Sequence, residues 1–411
     1  MSSGWDQLAR GISLPLPDSL EMPELTEVEL QAPRSDAVVD VEGAVRRAVV
    51  DKFRGIVTNK TVAVGAGSRG LTGRVESLRG AVAGLREVGA QPFVVPAMGS
   101  HAGGSSDGQR ALLATLGITE EAIDCEIRSS MRTVEVARTA AGMPLFLDEF
   151  AVAADFIFPV NRVKPHTCFK GPIESGCTKM AVVGFGKQPG AAQIHSCGPV
   201  QMAMRLVEGI ETLRATGRLL GGLATVESCS GEVVRIEALS ADEVGGEAER
   251  NLTDYARELV PRLPWRNIDV LIIERGGKDI SGTTIDPNVT GRFWVHGLAD
   301  LDAPPATIVL LDITEASGGN VLGIGLVDFI PTRVANRIDW EKTYLNCFTA
   351  GPSGMRRSRM PMVLADDEQC IKTAMMMCGR SVDEPKRIVR IRSTLHLERA
   401  WVSEAILNSV D

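Results

Sequence analysis

Short, mainly apolar runs that spill into loops of glycine and small polar residues recur along this chain. TVAVGAG (Thr61 to Gly67), PFVVPA (Pro92 to Ala97, leading into MGSHAGG), ADFIFPV (Ala154 to Val160), IDVLIIERGGKD (Ile268 to Asp279) and ATIVLLDIT (Ala306 to Thr314, leading into EASGGN) all have this form. A strand apolar on both faces belongs in a parallel sheet covered on both sides. Helical spacing follows or precedes these runs, over Asp40–Phe53, about Val75–Val88 and roughly Asp107–Leu116. Strand, loop, helix in repetition predicts parallel sheets with crossover helices. Asp124 to Phe158 reads as shorter strands, Met202–Thr216 as an amphipathic helix, Val226–Ile236 as a strand and Glu247–Leu259 as a helix.

A chain of 411 residues is too long for one ordinary core. The segment VPRLPWRN (Val260 to Asn267), with two prolines and a tryptophan, marks a boundary. The expected fold class is therefore α/β: two α/β domains with largely parallel sheets and the active site in the cleft between them. Residues 1–262 form the first domain, including a proline-rich, irregular start up to Arg34, and 263–411 form the second. Ligands in such folds bind beyond the carboxyl ends of the strands.

Composition removes some function classes. A formal net charge of −8 argues against nucleic acid or an anionic membrane as partner. Aromatics are only 4%, too few for a base-stacking platform. No apolar run reaches about 18 residues, so no spanning helix is expected. The start, MSSGWDQLARG, lacks the basic and apolar regions of a secretion signal. The eight cysteines never form C-x-x-C, which predicts reduced thiols in a cytoplasm. Cys168 and Cys177 read as small buried hydrophobes rather than metal ligands.

The chemistry concentrates in Asn161–His195, NRVKPHTCFKGPIESGCTKMAVVGFGKQPGAAQIH, directly after a strand. His166, in VKPHT, follows Pro165, which limits the backbone leading into it. His101, in GSHAGG, ends another strand between glycines that admit close approach. Two imidazoles at two strand ends suit acid–base work near neutrality. Lys179 precedes an apolar run, so partial burial would make it a nucleophile, a covalent tether or an anion-binding group. Gly184, Gly186 and Gly190 offer a cradle for a phosphate or a planar ring, and His195 closes the stretch. GAGSRG (Gly65 to Gly70) matches a dinucleotide fingerprint but lacks the acid expected after the next strand, where none occurs until Asp107. Three readings of it stay open: an NAD(P) site, a plain tight turn, or a turn presenting Arg69 to a carboxylate. Lys278, in GGKD, and Glu315, Ser317 and Asn320, in TEASGGN, lie on strand-end loops of the second half. His296 and His396 read as structural.

The run NRVKPHT…FKGPIESG…TKM…GFGK…GA…H resembles the lactate racemase family that uses a nickel-pincer nucleotide, closest to its branch of uncharacterised or sugar-acid-acting homologues. The likeness extends through GGKDISG and TEASGGNVLGIGLVDF. It implies a pyridinium-derived mononucleotide carrying nickel on sulfur, tethered to Lys179, with Gly184 and Gly186 lining it and His195 as nickel ligand. It implies His101 and His166 as acid–base groups and Arg69 and Lys278 as carboxylate binders. Family members acting on lactate carry an acidic residue where this chain has Ala66, and the loop from His166 to Lys179 is longer than theirs. Both departures argue against lactate itself and imply a substrate of different shape or larger size.

The resemblance carries a chemical logic. A near-neutral imidazole is too weak to pull a proton from an unactivated carbon. Removing the hydrogen as hydride leaves histidine only the hydroxyl proton to take. Nickel held by soft sulfur and an imidazole suits a square-planar site. The implied activity is isomerisation of a 2-hydroxy acid by a racemase or epimerase. The implied partners are that small molecule and the cofactor-synthesis enzymes needed for maturation, with a homo-oligomer left open. The alternatives are an NAD(P)-dependent dehydrogenase using Gly65, Gly67 and Gly70, and a non-catalytic anion-binding member of the fold.

Overall fold

The computed structural model describes residues 4–33, 35–68 and 72–408. It is a mixed α/β chain with largely parallel sheets. The chain forms two compact units: one is Pro33–Leu259, the other combines residues 1–32 with 260–411.

In the first unit a five-stranded sheet runs in the order Gln91–Pro96, Thr61–Ala66, Phe156–Arg162, Gly221–Glu227, Val233–Ser240. Its first three pairings are parallel and the last is antiparallel. The 61–66 strand has five of its six residues buried, as a continuous apolar run in a covered sheet requires. Helices Val41–Phe53 and Arg74–Glu87 cover one face. Asp40 caps the first of them, accepting from the Gly43 amide at 2.8 Å. The two helices approach closely because Gly80 has no side chain: a Cβ there would lie 2.5 Å from the Glu42 carbonyl oxygen. Val45, Val49, Phe53, Leu78, Leu85 and Phe158 fill the space beneath, with the Phe53 and Phe158 rings edge to face at 5.5 Å. Each such side chain contributes about 1.5–3 kcal/mol by leaving water.

Two sequence readings change. Val226–Ile236 is not one strand but the tip of an antiparallel hairpin, Gly221–Glu227 against Val233–Ser240. Ser228, Cys229, Ser230 and Gly231 form the turn, closed by the Ser228 amide on the Glu232 carbonyl at 2.8 Å, with Gly231 at φ +86°. CEIRSS makes only an isolated bridge, Ile127 to Val94, rather than a strand.

The start of the 61–66 strand is clamped by Asp155. Its carboxylate accepts from the Thr61 amide and hydroxyl, both at 2.8 Å, and from Lys60 at 3.1 Å. These bonds hold its pKa down to about 2, the Thr61 amide contributing most. A depressed carboxylate stabilises the fold fully above its unfolded pKa, near 4, and loses that effect as pH falls through about 2. Asp155→Asn should therefore flatten the stability curve between about pH 4 and pH 2 in acid titrations followed by circular dichroism.

The second unit carries a seven-stranded sheet in the order Thr26–Glu29, Arg399–Val402, Ile388–Ile391, Val270–Ile273, Thr307–Leu310, Phe329–Pro331, Met362–Leu364. Its pairings from 388–391 through 362–364 are parallel. The 26–29 strand pairs antiparallel with 399–402. The expectation that the first 32 residues belong with the N-terminal domain is corrected here. TEVE alternates charged and small residues as an exposed edge strand does, and Arg399 pairs with Glu27 at 2.8 Å. The stretch read as irregular also holds a helix, Gly4–Arg10. Among the described residues no helix is long and apolar enough to cross a membrane.

Candidate active site

The 156–162 strand delivers the chain to Val163, whose amide still bonds the Thr225 carbonyl at 2.8 Å. The loop that follows is closed by Ser175. Its hydroxyl accepts from the Lys164 amide and donates to the Lys164 carbonyl, both at 2.7 Å. Inside the loop lies Glu174, fully buried. Its carboxylate accepts from the His166 amide at 2.6 Å and from Arg257 at 2.6 Å, with Lys170 at 3.4 Å. A buried carboxylate must be paired, and this one fixes the backbone at His166.

Lys179 ends the short helix Gly176–Lys179, which passes into a wide turn over Met180–Gly184 with the Phe185 amide bonded to the Met180 carbonyl five residues back. Such π-turns are rare and frequent at functional sites. The helix is anchored by Glu249, also fully buried, which accepts from the Thr178 amide (3.0 Å), the Thr178 hydroxyl (2.6 Å) and the Gly245 amide (2.8 Å). Burial pushes the Glu249 carboxyl up from its ordinary value, against those donors. Gly176 sits at φ +72°, and a Cβ there would lie 2.4 Å from Glu249 Oε1. Helix Glu247–Glu258, with Arg257 near its end, thus braces both the His166 loop and the Lys179 helix. Neither brace was visible from the sequence. The only trace is the spacing of Glu249 and Arg257, about two helical turns apart on one face.

Four of the expected residues lie in one neighbourhood at the carboxyl ends of the parallel strands. The Phe169 ring is 4.4 Å from the His166 ring, and the Lys179 ammonium lies 5.5 Å from its centre. His195 is half-buried, and its pKa is pulled down to about 4, first by burial and then by electrostatic repulsion from Lys179 and His101. It is therefore neutral at pH 7. Its Nδ1 is buried and has no hydrogen-bond partner. His101 is exposed, with Nδ1 2.6 Å from the Met98 carbonyl oxygen.

The loop carrying His101 is held from below by Lys187, in GFGK. This lysine is fully buried and lies 3.1 Å from Asp148, also fully buried. It donates to the Pro96 carbonyl and to Gln109 Oε1, and the Gln109 amide nitrogen donates to the Gly99 carbonyl at 2.8 Å. Two hydrogen bonds and one ion pair thus meet the buried ammonium group. Burial pulls Lys187 down and pushes Asp148 up, and each charge opposes the shift of the other.

Other expected residues fall elsewhere. Arg69 and Gly70 lie outside the described residues. Gly184 and Gly186 are buried. A Cβ at Gly184 would lie 2.4 Å from the Ala97 carbonyl oxygen, and one at Gly186 2.9 Å from Gly190 Cα. Backbone packing accounts for both glycines. At Gly65 the corresponding space is filled by the Phe185 ring, 2.6 Å away. Cys168 and Cys177 are buried, and Cys168 Sγ lies 3.2 Å from His166 Nδ1. Lys278 belongs to the second unit, beyond the 270–273 strand, where its amide donates to Ser317 Oγ at 2.8 Å. Asp279 there accepts from Ser317 at 3.2 Å and also from Thr314. His396 Nδ1 lies 2.9 Å from the Ser393 hydroxyl.

Among the described residues no group of three His, Cys, Asp or Glu side chains could hold a metal. A metal here would have to arrive with most of its donors. The orphaned Nδ1 of neutral His195, beside a half-buried lysine, fits such a group.

No family model and no curated protein matches this sequence. Among solved structures it is similar to the lactate racemase apoprotein from Thermoanaerobacterium thermosaccharolyticum, at 15% identity over 94% of this chain and 87% of that one, with a TM-score of 0.49. It is also similar to a Thermotoga maritima protein solved in structural genomics, at 12% identity over 77% and 81% of the two chains, with a TM-score of 0.49.

Proposed function

We propose that this protein is a racemase or epimerase of a 2-hydroxy acid that works with a nickel-pincer nucleotide tethered to Lys179. The observation that carries this reading is the gathering of Lys179, His195, His101 and His166 around one spot. Lys179 forms the covalent attachment, and the neutral imidazole of His195 offers a soft donor to the metal. Bound there, the group supplies a hydride acceptor, so that the substrate carbon becomes planar and can be refilled from either face. The protein's own work is proton handling and positioning. The imidazoles of His101 and His166 face the substrate's hydroxyl oxygen, where a proton leaves and returns. Arg69 is the cation proposed for the carboxylate. With Ala66 in place of an acid beside Arg69, a sugar acid is the preferred substrate class. Maturation requires the enzymes that build the nucleotide.

The dinucleotide alternative loses support at Gly67, the glycine that would admit the pyrophosphate, where the Met180 methyl lies 3.2 Å from the position of a Cβ. The test is mass spectrometry of intact protein expressed with pincer-synthesis enzymes. A mass addition should map to the peptide holding Lys179 and vanish in Lys179→Ala. An adduct that survives that substitution, or one on another peptide, overturns the reading.

A further inference from the structure

His101 and His166 present their Nδ1 atoms to opposite kinds of partner. At His101 the partner is the Met98 carbonyl oxygen, 2.6 Å away. A carbonyl can only accept, so Nδ1 of His101 carries a hydrogen. In the neutral ring Nε2 then holds a lone pair. At His166 the partner is the backbone amide of Cys168, which donates to Nδ1 at 3.2 Å. An amide can only donate, so Nδ1 of His166 holds the lone pair and Nε2 carries the hydrogen. The nearby Cys168 thiol does not alter this, because a hydroxyl-like S–H can itself donate to the same nitrogen.

We propose that the two site histidines are fixed in opposite tautomers, so that His101 alone stands ready to take the substrate's hydroxyl proton, while His166 offers that oxygen a hydrogen bond. The inference rests on the functional reading above for its substrate, but not for its tautomers. When His101 Nε2 takes the proton, the O–H bond breaks and an imidazolium forms. Its Nδ1–H keeps the Met98 carbonyl, now as a stronger, charged donor. His166 cannot follow the same course directly. To take the substrate's proton at Nε2 it must first release the Cys168 amide and move its own hydrogen from Nε2 to Nδ1, because Nε2 already carries one. A substrate whose hydroxyl faces His166 therefore waits on that release. The hold is local: Glu174 pins the His166 amide at 2.6 Å and Phe169 lies along the ring. The two configurations of the substrate are thus served unequally before the common planar state.

Long-range proton–nitrogen correlation spectra of the full-length protein, labelled with nitrogen-15 histidine and recorded with the imidazoles neutral, test this directly. His101→Gln and His166→Gln assign the signals. The expected result is a hydrogen on Nδ1 of His101 and on Nε2 of His166. Cys168→Ala keeps the backbone donor and should leave the His166 tautomer unchanged. The same tautomer in both rings overturns the proposal, whether or not the protein turns over any substrate. In the loaded enzyme, single-turnover ketone formation from the two configurations should differ by about tenfold, the effect of breaking one hydrogen bond. Equal rates overturn the unequal division of labour. Opposite tautomers with no turnover of any hydroxy acid would instead sink the functional reading and leave the tautomer assignment standing.

Discussion

Replacing Lys187 by methionine should lower the stability of the protein by about 3–5 kcal/mol. The substitution keeps the volume of the side chain and removes its charge. Asp148 is then left fully buried without its cation. Its remaining partners are the amides of Phe150, at 2.7 Å, and Ala151, at 3.4 Å, which it caps. The Pro96 carbonyl and Gln109 Oε1 also lose a donor. Against a typical total of about 5–15 kcal/mol this is a large fraction. Urea unfolding followed by far-ultraviolet circular dichroism measures it. Adding Asp148→Asn, which retains the cap but removes the stranded charge, should restore much of the loss. If the double variant is no more stable than Lys187→Met, the buried pair is not the source of the effect. The loop that carries His101 should also loosen, because Lys187 and Gln109 are the ties beneath it.

Glu249→Ala should have the second-largest effect, on the order of 3 kcal/mol or more. It strands the Thr178 amide, the Thr178 hydroxyl and the Gly245 amide in a buried place, each losing about 1–3 kcal/mol of satisfaction in a non-additive sum. The N-terminal end of the Lys179 helix loses its anchor at the same time. Hydrogen exchange should therefore rise at Thr178 and the residues that follow, and the covalent loading proposed for Lys179 should slow. Glu249→Gln is the informative companion. It preserves one acceptor and the volume, and it should unfold later than Glu249→Ala. If the two variants unfold together, hydrogen bonding to the carboxylate contributes little.

Most of the regular structure of the first unit is legible locally. The 61–66 and 91–96 strands are apolar runs, and the 41–53 and 74–87 helices announce themselves by periodicity and by Asp40 as a cap. The hairpin at Ser228 was hidden because valines flank the turn on both sides, Val226 before it and Val233 and Val234 after it, so the break lies in turn chemistry rather than in hydrophobicity. The N-terminal strand was hidden because its partner lies at the other end of the chain. Within the site, the histidines and Lys179 stood out by residue type and by their place after strands. Lys187 did not. MAVVGFGK looks like an apolar turn ending in a surface lysine, and only Asp148, from a strand far back in the sequence, makes burial of that ammonium tolerable. Glu249 and Arg257 escaped for the same reason: their partners are distant loops. Local pattern reports what a residue prefers, and distant partners decide when that preference is overruled.

The pairing of Glu27 with Arg399, 372 residues apart, has a consequence for how the protein is made on the ribosome. Residues 33–259 are a nested insertion whose sheet can close while synthesis continues. The outer sheet must hold its first strand in waiting until its partner, 399–402, has been made.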